Sequence, residues 1–110
     1  MQFQTLTIVR LRGGEQPAPD TPDDEKIQAA HLAYLGSLIE KGIIVVNGPC
    51  RICDDPKFLG MSIYRVGIEE ARKLASEDPG VKAGWFTPHV DGWLVPYGPV
   101  TLGDQIDLEI

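Results

Sequence analysis

The most constraining feature of the sequence is the stretch from Thr21 to Pro49, where a helical pattern, a glycine and an apolar strand follow one another. Apolar side chains and one histidine recur there at the three- and four-residue spacing of a single helix face. These positions are Ile27, Ala30, His31, Tyr34, Leu35, Leu38 and Ile39. Thr21 is a good N-cap, and Pro22 suits the first helical position. The sequence therefore predicts an amphipathic helix that begins at this cap and ends at Gly42.

His31 occupies the predicted buried stripe of this helix. One interpretation is a core histidine whose ring nitrogens bond to backbone or side-chain partners, as buried polar groups usually do. The other is an imidazole at the floor of a pocket between helix and sheet, where it could transfer protons. The residue pattern alone leaves both interpretations open.

Size and charge limit the classes of function. A chain of 110 residues is expected to form one domain. The net charge of −6 argues against nucleic acid as the main partner, since phosphate binding needs clustered Lys and Arg. No apolar run approaches the roughly 20 residues that span a bilayer, and Met1 opens into a strand-like run without the pattern of a signal peptide. We therefore expect a soluble cytoplasmic domain that binds a small molecule or a protein.

The rest of the chain is predicted to form three further strands, one short helix and a tail. Residues 3–12, 58–66 and 81–93 carry the β-branched and apolar residues typical of strands. The short helix begins near Ile68 and is expected to end at Asp78, because the residue before a proline is disfavoured in a helix. Pro88 predicts that the last strand lies at an edge or carries a bulge.

The strand after the first helix is apolar at every position from Ile43 to Val46, which indicates burial on both faces. The element order β-α-β-β-α-β is that of an α+β, ferredoxin-like fold, an antiparallel four-stranded sheet with two helices on one face. A second subunit on the free face would complete a dimeric α/β barrel, so we predict a homodimer or higher homo-oligomer. Residues 1–95 would form the domain, and residues 96–110 a C-terminal extension with a candidate extra strand at the dimer interface.

Several short stretches resemble the YciI-like family, also called YCII-related proteins, of the dimeric α/β-barrel group. The matching residues are His31-Leu32, Leu35, Gly42, Gly48-Pro49, Glu69-Glu70-Ala71 and the run from Asp78 to Gly84. The resemblance covers about residues 3–95 and implies a homodimer with a histidine–aspartate pair in its active site. One branch of the family removes hydrogen chloride from a chlorinated hydroxyquinol. By position, the histidine is His31 and Asp78 is the candidate aspartate, whereas Gln28 stands where many relatives have an arginine.

Asp78 has two interpretations that do not depend on the resemblance. At the end of the predicted short helix, its carboxylate would face the negative end of the helix dipole, which is unfavourable. It would then act as a stop residue that begins the turn at Pro79. Alternatively, Asp78 pairs with His31, fixes the tautomer of its ring and stabilises the imidazolium that forms on proton uptake.

Cys50 and Cys53 form a single C-x-x-C motif in the connection between the second and third strands. Redox motifs of this kind lie at helix N-termini, whereas acidic residues and a proline follow here. A structural zinc site needs four ligands, usually from two such pairs. We expect two reduced structural cysteines and no metal, with Cys50 and Cys53 as weak candidates for metal ligands.

Other residues are candidates for substrate contacts. Gly48 and Pro49 close the second strand, Arg10 could contact an anion, and His89 could line the mouth of a pocket. The aromatic residues near the fourth strand are interpreted as core or interface residues instead of a ligand-stacking group. They are Trp85, Phe86 and Trp93.

Two hypotheses of different classes follow. The first is a small lyase or isomerase, similar to a dehydrochlorinase, that works without a cofactor on a small carbonyl or phenolic compound, with His31 as general base and Asp78 as its orienting partner. The alternative is a non-catalytic dimeric protein that binds a ligand or assists another enzyme. A histidine nitrogen free in a pocket, with a carboxylate on the other nitrogen, would favour the first. A His31 sealed by apolar side chains would favour the second.

Overall fold

The computed structural model describes residues 2–15 and 22–96. Within them, four strands and three helices follow one another along the chain. They are β1 (Phe3–Gly13), α1 (Pro22–Glu40), β2 (Ile44–Pro49), β3 (Phe58–Tyr64), α2 (Ile68–Ser76), α3 (Pro79–Lys82) and β4 (Phe86–Pro96). The strands form one antiparallel sheet in the order β2-β3-β1-β4. This is the predicted ferredoxin-like arrangement with one short helix, α3, added.

Helix α1 carries the predicted stripe, but the buried part is narrower than the sequence pattern. His31, Leu35 and Leu38 are buried, whereas Ala30 and Ile39 at the margins of the stripe are exposed. The helix ends before Gly42, whose φ of 75° lies in the left-handed region that glycine adopts without strain. The predicted N-cap, Thr21, lies outside the described residues.

The core lies between the sheet and the two longer helices. Alternate residues of β1 point toward those helices, because successive side chains of a strand point to opposite faces. The buried apolar cluster joins residues of three strands with residues of α1 and α2, and its members are Val9, Leu35, Leu38, Ile44, Tyr64, Ala71 and Ala75. Both longer helices therefore cover the same face of the sheet.

The region after α2 differs from the prediction. Residues 81–85 were expected to open the fourth strand, but Val81 and Lys82 belong to α3 and β4 begins at Phe86. Helix α2 already ends at Ser76, and Asp78 is the N-cap of α3 instead of the end of α2. The physical reason is Pro79, which forces Asp78 into an extended conformation and then suits the first position of a new helix.

The other face of the sheet carries a set of apolar side chains that the described helices leave uncovered. We call it the open face, and strand alternation and register assign to it Leu6, Ile8, Val46, Met61, Ile63 and Trp93. Within one chain, Val46 of β2 is 38% exposed, so burial of this strand on both faces would require a second subunit. Strand β4 lies at an edge of the sheet, as Pro88 predicted.

The described residues do not test the predictions for the C-terminal extension and for the cellular location. The predicted extra strand and the C-terminal extension fall on residues 97–110, outside the described residues, so the division at residues 95 and 96 stays a prediction. None of the helices within residues 2–15 and 22–96 is long and apolar enough to cross a membrane. The cytoplasmic location also stays a prediction.

Candidate active site

His31 and Asp78 meet at the junction of α1 and the start of α3, although 47 positions separate them in the chain. Nδ1 of His31 lies 2.8 Å from each carboxylate oxygen of Asp78. Both side chains are largely removed from water, with 7% of His31 and 2% of Asp78 exposed. The predicted pair is therefore present as a direct, buried contact.

The backbone at the start of α3 holds the Asp78 carboxylate. As the N-cap of this short helix, Asp78 accepts a hydrogen bond of 2.8 Å from the backbone N–H of Gly80. Asp is among the preferred N-cap residues because its side-chain oxygen satisfies an otherwise unpaired N–H group. The carboxylate thus accepts from a backbone donor at the start of a helix, in contrast to the unfavourable helix end expected from the sequence.

The contact assigns the tautomer of the His31 ring. An ionised carboxylate only accepts hydrogen bonds, so Nδ1 must carry the hydrogen that it donates to Asp78. In the neutral ring, Nε2 is then unprotonated and acts as the acceptor. Among the described residues Nε2 has no hydrogen-bond partner, and every buried side-chain nitrogen or oxygen there has one. Nε2 is therefore reached by solvent.

Solvent reaches His31 through a cleft of about 350 Å³ between α1 and the strands β2 and β3. The predicted residues Gly48 and Pro49 line the same cleft as His31. Its walls are mostly apolar, with a few polar groups, and none of the described lining residues is a lysine or arginine. Gln28 is one of these polar groups. Such a site suits a small, uncharged molecule with a few oxygen substituents.

Phe86 is a site residue that the sequence analysis did not identify. Its ring lies 4.9 Å from the His31 ring, tilted by 45°, and it also lines the cleft. Gly80 makes room for it, because a Cβ added at Gly80 would come within 2.6 Å of the Phe86 ring. In the sequence, only the glycine after Asp78-Pro79 could have indicated this contact. That Gly80 leaves space for an aromatic ring becomes visible only when β4 is packed against α3.

The model of the YCII-related domain matches residues 11–89. The chain belongs to the YCII-related family. The match spans α1, the cleft strands and both members of the His31–Asp78 pair.

A solved structure similar to this YCII-related chain is a 5-chloro-2-hydroxyhydroquinone dehydrochlorinase from Burkholderia phenoliruptrix AC1100, in complex with 2,5-dihydroxybenzoquinone. The two share 28% sequence identity with a TM-score of 0.55, and the match covers 79% of this chain and 92% of that one. A comparison with curated proteins gave no match.

Two predicted substrate contacts lie elsewhere in this YCII-related domain. Arg10 and His89 are register partners on β1 and β4, on the face of the sheet opposite to the helices and His31. Arg10 bonds there to Asp91, at 3.0 Å from Nε and 2.8 Å from Nη2. One chain therefore does not bring Arg10 or His89 to the His31 cleft.

Tyr34 ties α1 to α2 beside the pair. Its hydroxyl donates a hydrogen bond of 2.7 Å to the carbonyl of Leu74. Burial raises the pKa of the Tyr34 hydroxyl above its usual value, and the negative charges of Glu77 and Asp78 add to the rise. Tyr34 thus stays a neutral donor, and its bond fixes α1 relative to the segment that leads into Asp78.

The cysteines differ from the expectation of a reduced pair. Cys50 and Cys53 are joined in a disulfide, and their Cα atoms lie 6.4 Å apart, within the range that a disulfide spans. A backbone hydrogen bond of 3.0 Å from the Cys50 N–H to the Leu59 carbonyl joins the start of this connection to β3. Within residues 2–15 and 22–96, no group of three His, Cys, Asp or Glu side chains is placed to hold a metal ion.

Proposed function

We propose that the protein is a small lyase or isomerase that needs no cofactor, with His31 as general base and Asp78 as its orienting partner. The observation that carries the proposal is that the two nitrogens of the His31 ring have different surroundings. Nδ1 is bound to the buried carboxylate, Nε2 has no hydrogen-bond partner among the described residues, and His31 lines a small cleft. A positioned histidine with one free nitrogen is the usual arrangement of a general base near neutral pH.

The reaction begins when Nε2 takes a proton from a hydroxyl group, or from a carbon next to a carbonyl, of a substrate in the cleft. The electron pair left behind moves into the ring system of the substrate. A ring carbon then takes up a proton, which completes an isomerisation. If that carbon carries chlorine, loss of a proton from another hydroxyl in turn expels chloride, and the net reaction is an elimination of hydrogen chloride. Asp78 stabilises the imidazolium formed in the first step.

The choice of a cyclic phenolic or carbonyl substrate rests on the cleft and on the solved relative. A volume of about 350 Å³ with mostly apolar walls suits a single ring, and the absence of Lys and Arg from the described lining favours an uncharged one. The relative is a dehydrochlorinase bound to a small quinone. Elimination of hydrogen chloride from a chlorinated hydroxylated ring is therefore the first reaction to test.

We also propose that a second copy of the chain covers the open face. The open face carries six apolar side chains, and exposed apolar surface of this kind marks an interface between proteins. Val46, Met61 and Trp93 are the exposed members. Two such faces packed together would form the predicted homodimer and bury β2 on both sides.

The function is tested by chloride release from 5-chloro-2-hydroxyhydroquinone, with deuterium uptake from D2O into a small cyclic diketone as a test for proton transfer without elimination. We expect turnover by the wild type and a loss of roughly 10²- to 10⁴-fold in His31→Gln, the usual contribution of a general base. Asp78→Asn should also lose activity. His89→Gln, which changes the other histidine of the chain on the far face, should retain it.

Two outcomes would contradict the proposal. If His31→Gln turns over substrate at the wild-type rate, His31 is not the base. If the wild type binds the ring compounds in the cleft but catalyses neither reaction, the non-catalytic ligand-binding alternative takes its place.

A further inference from the structure

Two polar side chains line the sheet side of the cleft and have no part in the His31–Asp78 pair. Asn47 of β2 and Ser62 of β3 are register partners, on the face of the sheet that the helices cover. Asn47 Nδ2 donates a hydrogen bond of 2.7 Å to the Ser62 hydroxyl. Ser62 is buried, with 5% of its surface exposed, whereas Asn47 is exposed to solvent.

The hydrogen bonds of this pair are incomplete among the described residues. The Ser62 hydroxyl accepts from Asn47, but its own hydrogen has no acceptor there, and the second amide hydrogen of Asn47 has none either. Turning the amide over would let Ser62 donate to the Asn47 oxygen, and both amide hydrogens would then be unused. In either orientation, the pair keeps donors available to a molecule in the cleft.

The surroundings make the pair a localised polar site. The neighbouring sheet residues of the cleft, Gly48, Pro49 and Gly60, have no polar side-chain atoms. His31 provides a polar atom on the helix side, and Asn47 with Ser62 provides others on the sheet side. A bound ring therefore meets a proton acceptor from one wall and hydrogen-bond donors from the other.

We propose that Asn47 and Ser62 bind a second oxygen substituent of the substrate ring, so the cleft selects rings with two oxygen substituents. This inference rests on the proposed function and names the substrate feature that it requires. When the second oxygen is a carbonyl conjugated with the first, as in a hydroxyquinone, removal of a proton from the first oxygen by Nε2 of His31 spreads negative charge to the carbonyl oxygen. The donors of Asn47 and Ser62 stabilise the charge there, as preorganised donors do for other oxyanions.

The same arrangement distinguishes rings with two oxygen substituents from rings with one. A ring with only one oxygen can use His31 or the Asn47–Ser62 pair, but not both. The buried side chain of the other polar group, either His31 or Ser62, then gains no partner in place of water, which costs binding free energy. A site built to bond an oxygen rejects analogues that lack it.

The test compares the binding of phenol with that of hydroquinone and resorcinol, followed by NMR through the ring signals of His31. In the wild type, at least one of the two-oxygen rings should bind about tenfold more tightly than phenol, as expected for one added hydrogen bond in a partly dry site. Ser62→Ala and Asn47→Ala should each remove this preference and leave phenol affinity within about twofold. Ser37→Ala is the matched control, because its hydroxyl bonds to the Tyr34 carbonyl on α1, away from the cleft lining.

A general loss of structure would weaken the binding of all three ligands together. The ratio between the affinity for a two-oxygen ring and the affinity for phenol therefore separates ligand contact from a purely structural role. Equal affinity of phenol and both two-oxygen rings in the wild type would overturn the inference, as would a preference kept by both variants. In those cases the role of His31 would stand. If no ring compound perturbs His31 at all, both the inference and the proposed function fall.

Discussion

At the scale of single residues, the Asp78 carboxylate determines what His31 can do. One carboxylate bonds to both the His31 ring and the backbone N–H of Gly80. Both partners are donors to the carboxylate, and an ionised carboxylate can only accept hydrogen bonds. The ring hydrogen is therefore assigned to Nδ1, and Nε2 is the basic nitrogen of a ring that lines the cleft.

Phe86 sets the position of the ring from the other side. Its tilted contact with His31 leaves the imidazole little room to turn, and Gly80 is the residue that lets Phe86 come so close. The orientation of the candidate base thus depends on a hydrogen bond at one ring nitrogen and on an aromatic contact at the ring face.

At the scale of elements, the site depends on the close approach of α3 and β4. Helix α3 has only four residues, so its position is fixed by its cap and by packing more than by its own hydrogen bonds. The cap comes from Asp78, and the packing comes from Phe86 against Gly80. A change at this junction should alter both stability and the geometry of His31.

Gly80→Ala tests the junction. The new Cβ would lie 2.6 and 2.7 Å from two atoms of the Phe86 ring, so the ring must move. Over-packing of this kind typically costs about 1–3 kcal/mol. We expect a loss of this size in the free energy of unfolding, measured with urea, and a lower rate of turnover.

The matched control is Gly36→Ala. Gly36 lies within α1, and a Cβ there would meet no atom within 4 Å. Alanine is a better helix former than glycine, so this variant should be more stable by about 1 kcal/mol or less. If Gly80→Ala is as stable as Gly36→Ala, the contact between Gly80 and Phe86 is not the one described.

The same elements show how far sequence reasoning reaches. Helix α1 could be predicted because its periodicity and caps agree over nineteen residues. Helix α3 was missed because four residues carry no periodicity, and the apolar run around Val81 is equally typical of a strand. This error also misplaced Asp78, which was expected at the C-terminal end of α2 and instead caps α3.

At the scale of the whole molecule, the site is assembled from parts that are distant in sequence. His31 comes from α1, Asp78 from the turn into α3, and the far wall from β2 and β3. The sequence and the family resemblance could nominate His31 and Asp78, and the structure places them in contact, while their catalytic role stays a prediction. Phe86 and the Asn47–Ser62 pair could not be predicted as site residues, because their contacts join residues that are distant in the sequence.

The prediction for the oligomeric state concerns the open face. In the proposed homodimer, Val46→Glu would bury a charge without a partner, which disfavours association. We expect sedimentation to show a dimer for the wild type and a monomer for Val46→Glu.

Ile39→Glu is the control for this experiment. Ile39 is also an exposed apolar side chain, 49% accessible, but it lies on α1, away from the open face. It should leave the dimer intact. A wild-type monomer, or a Val46→Glu variant that still dimerises, would contradict the proposed interface.

The central claim is that Asp78 holds the hydrogen on Nδ1 of His31 and leaves Nε2 free as the base. Long-range hydrogen–nitrogen NMR of the neutral histidine rings measures this directly, and His89→Gln assigns the two histidines. We expect His31 of the wild type to carry its hydrogen on Nδ1, and we expect Asp78→Asn, which keeps a good N-cap residue, to weaken this preference. A hydrogen on Nε2 in the wild type, or an Asp78→Asn variant with an unchanged tautomer, would contradict it.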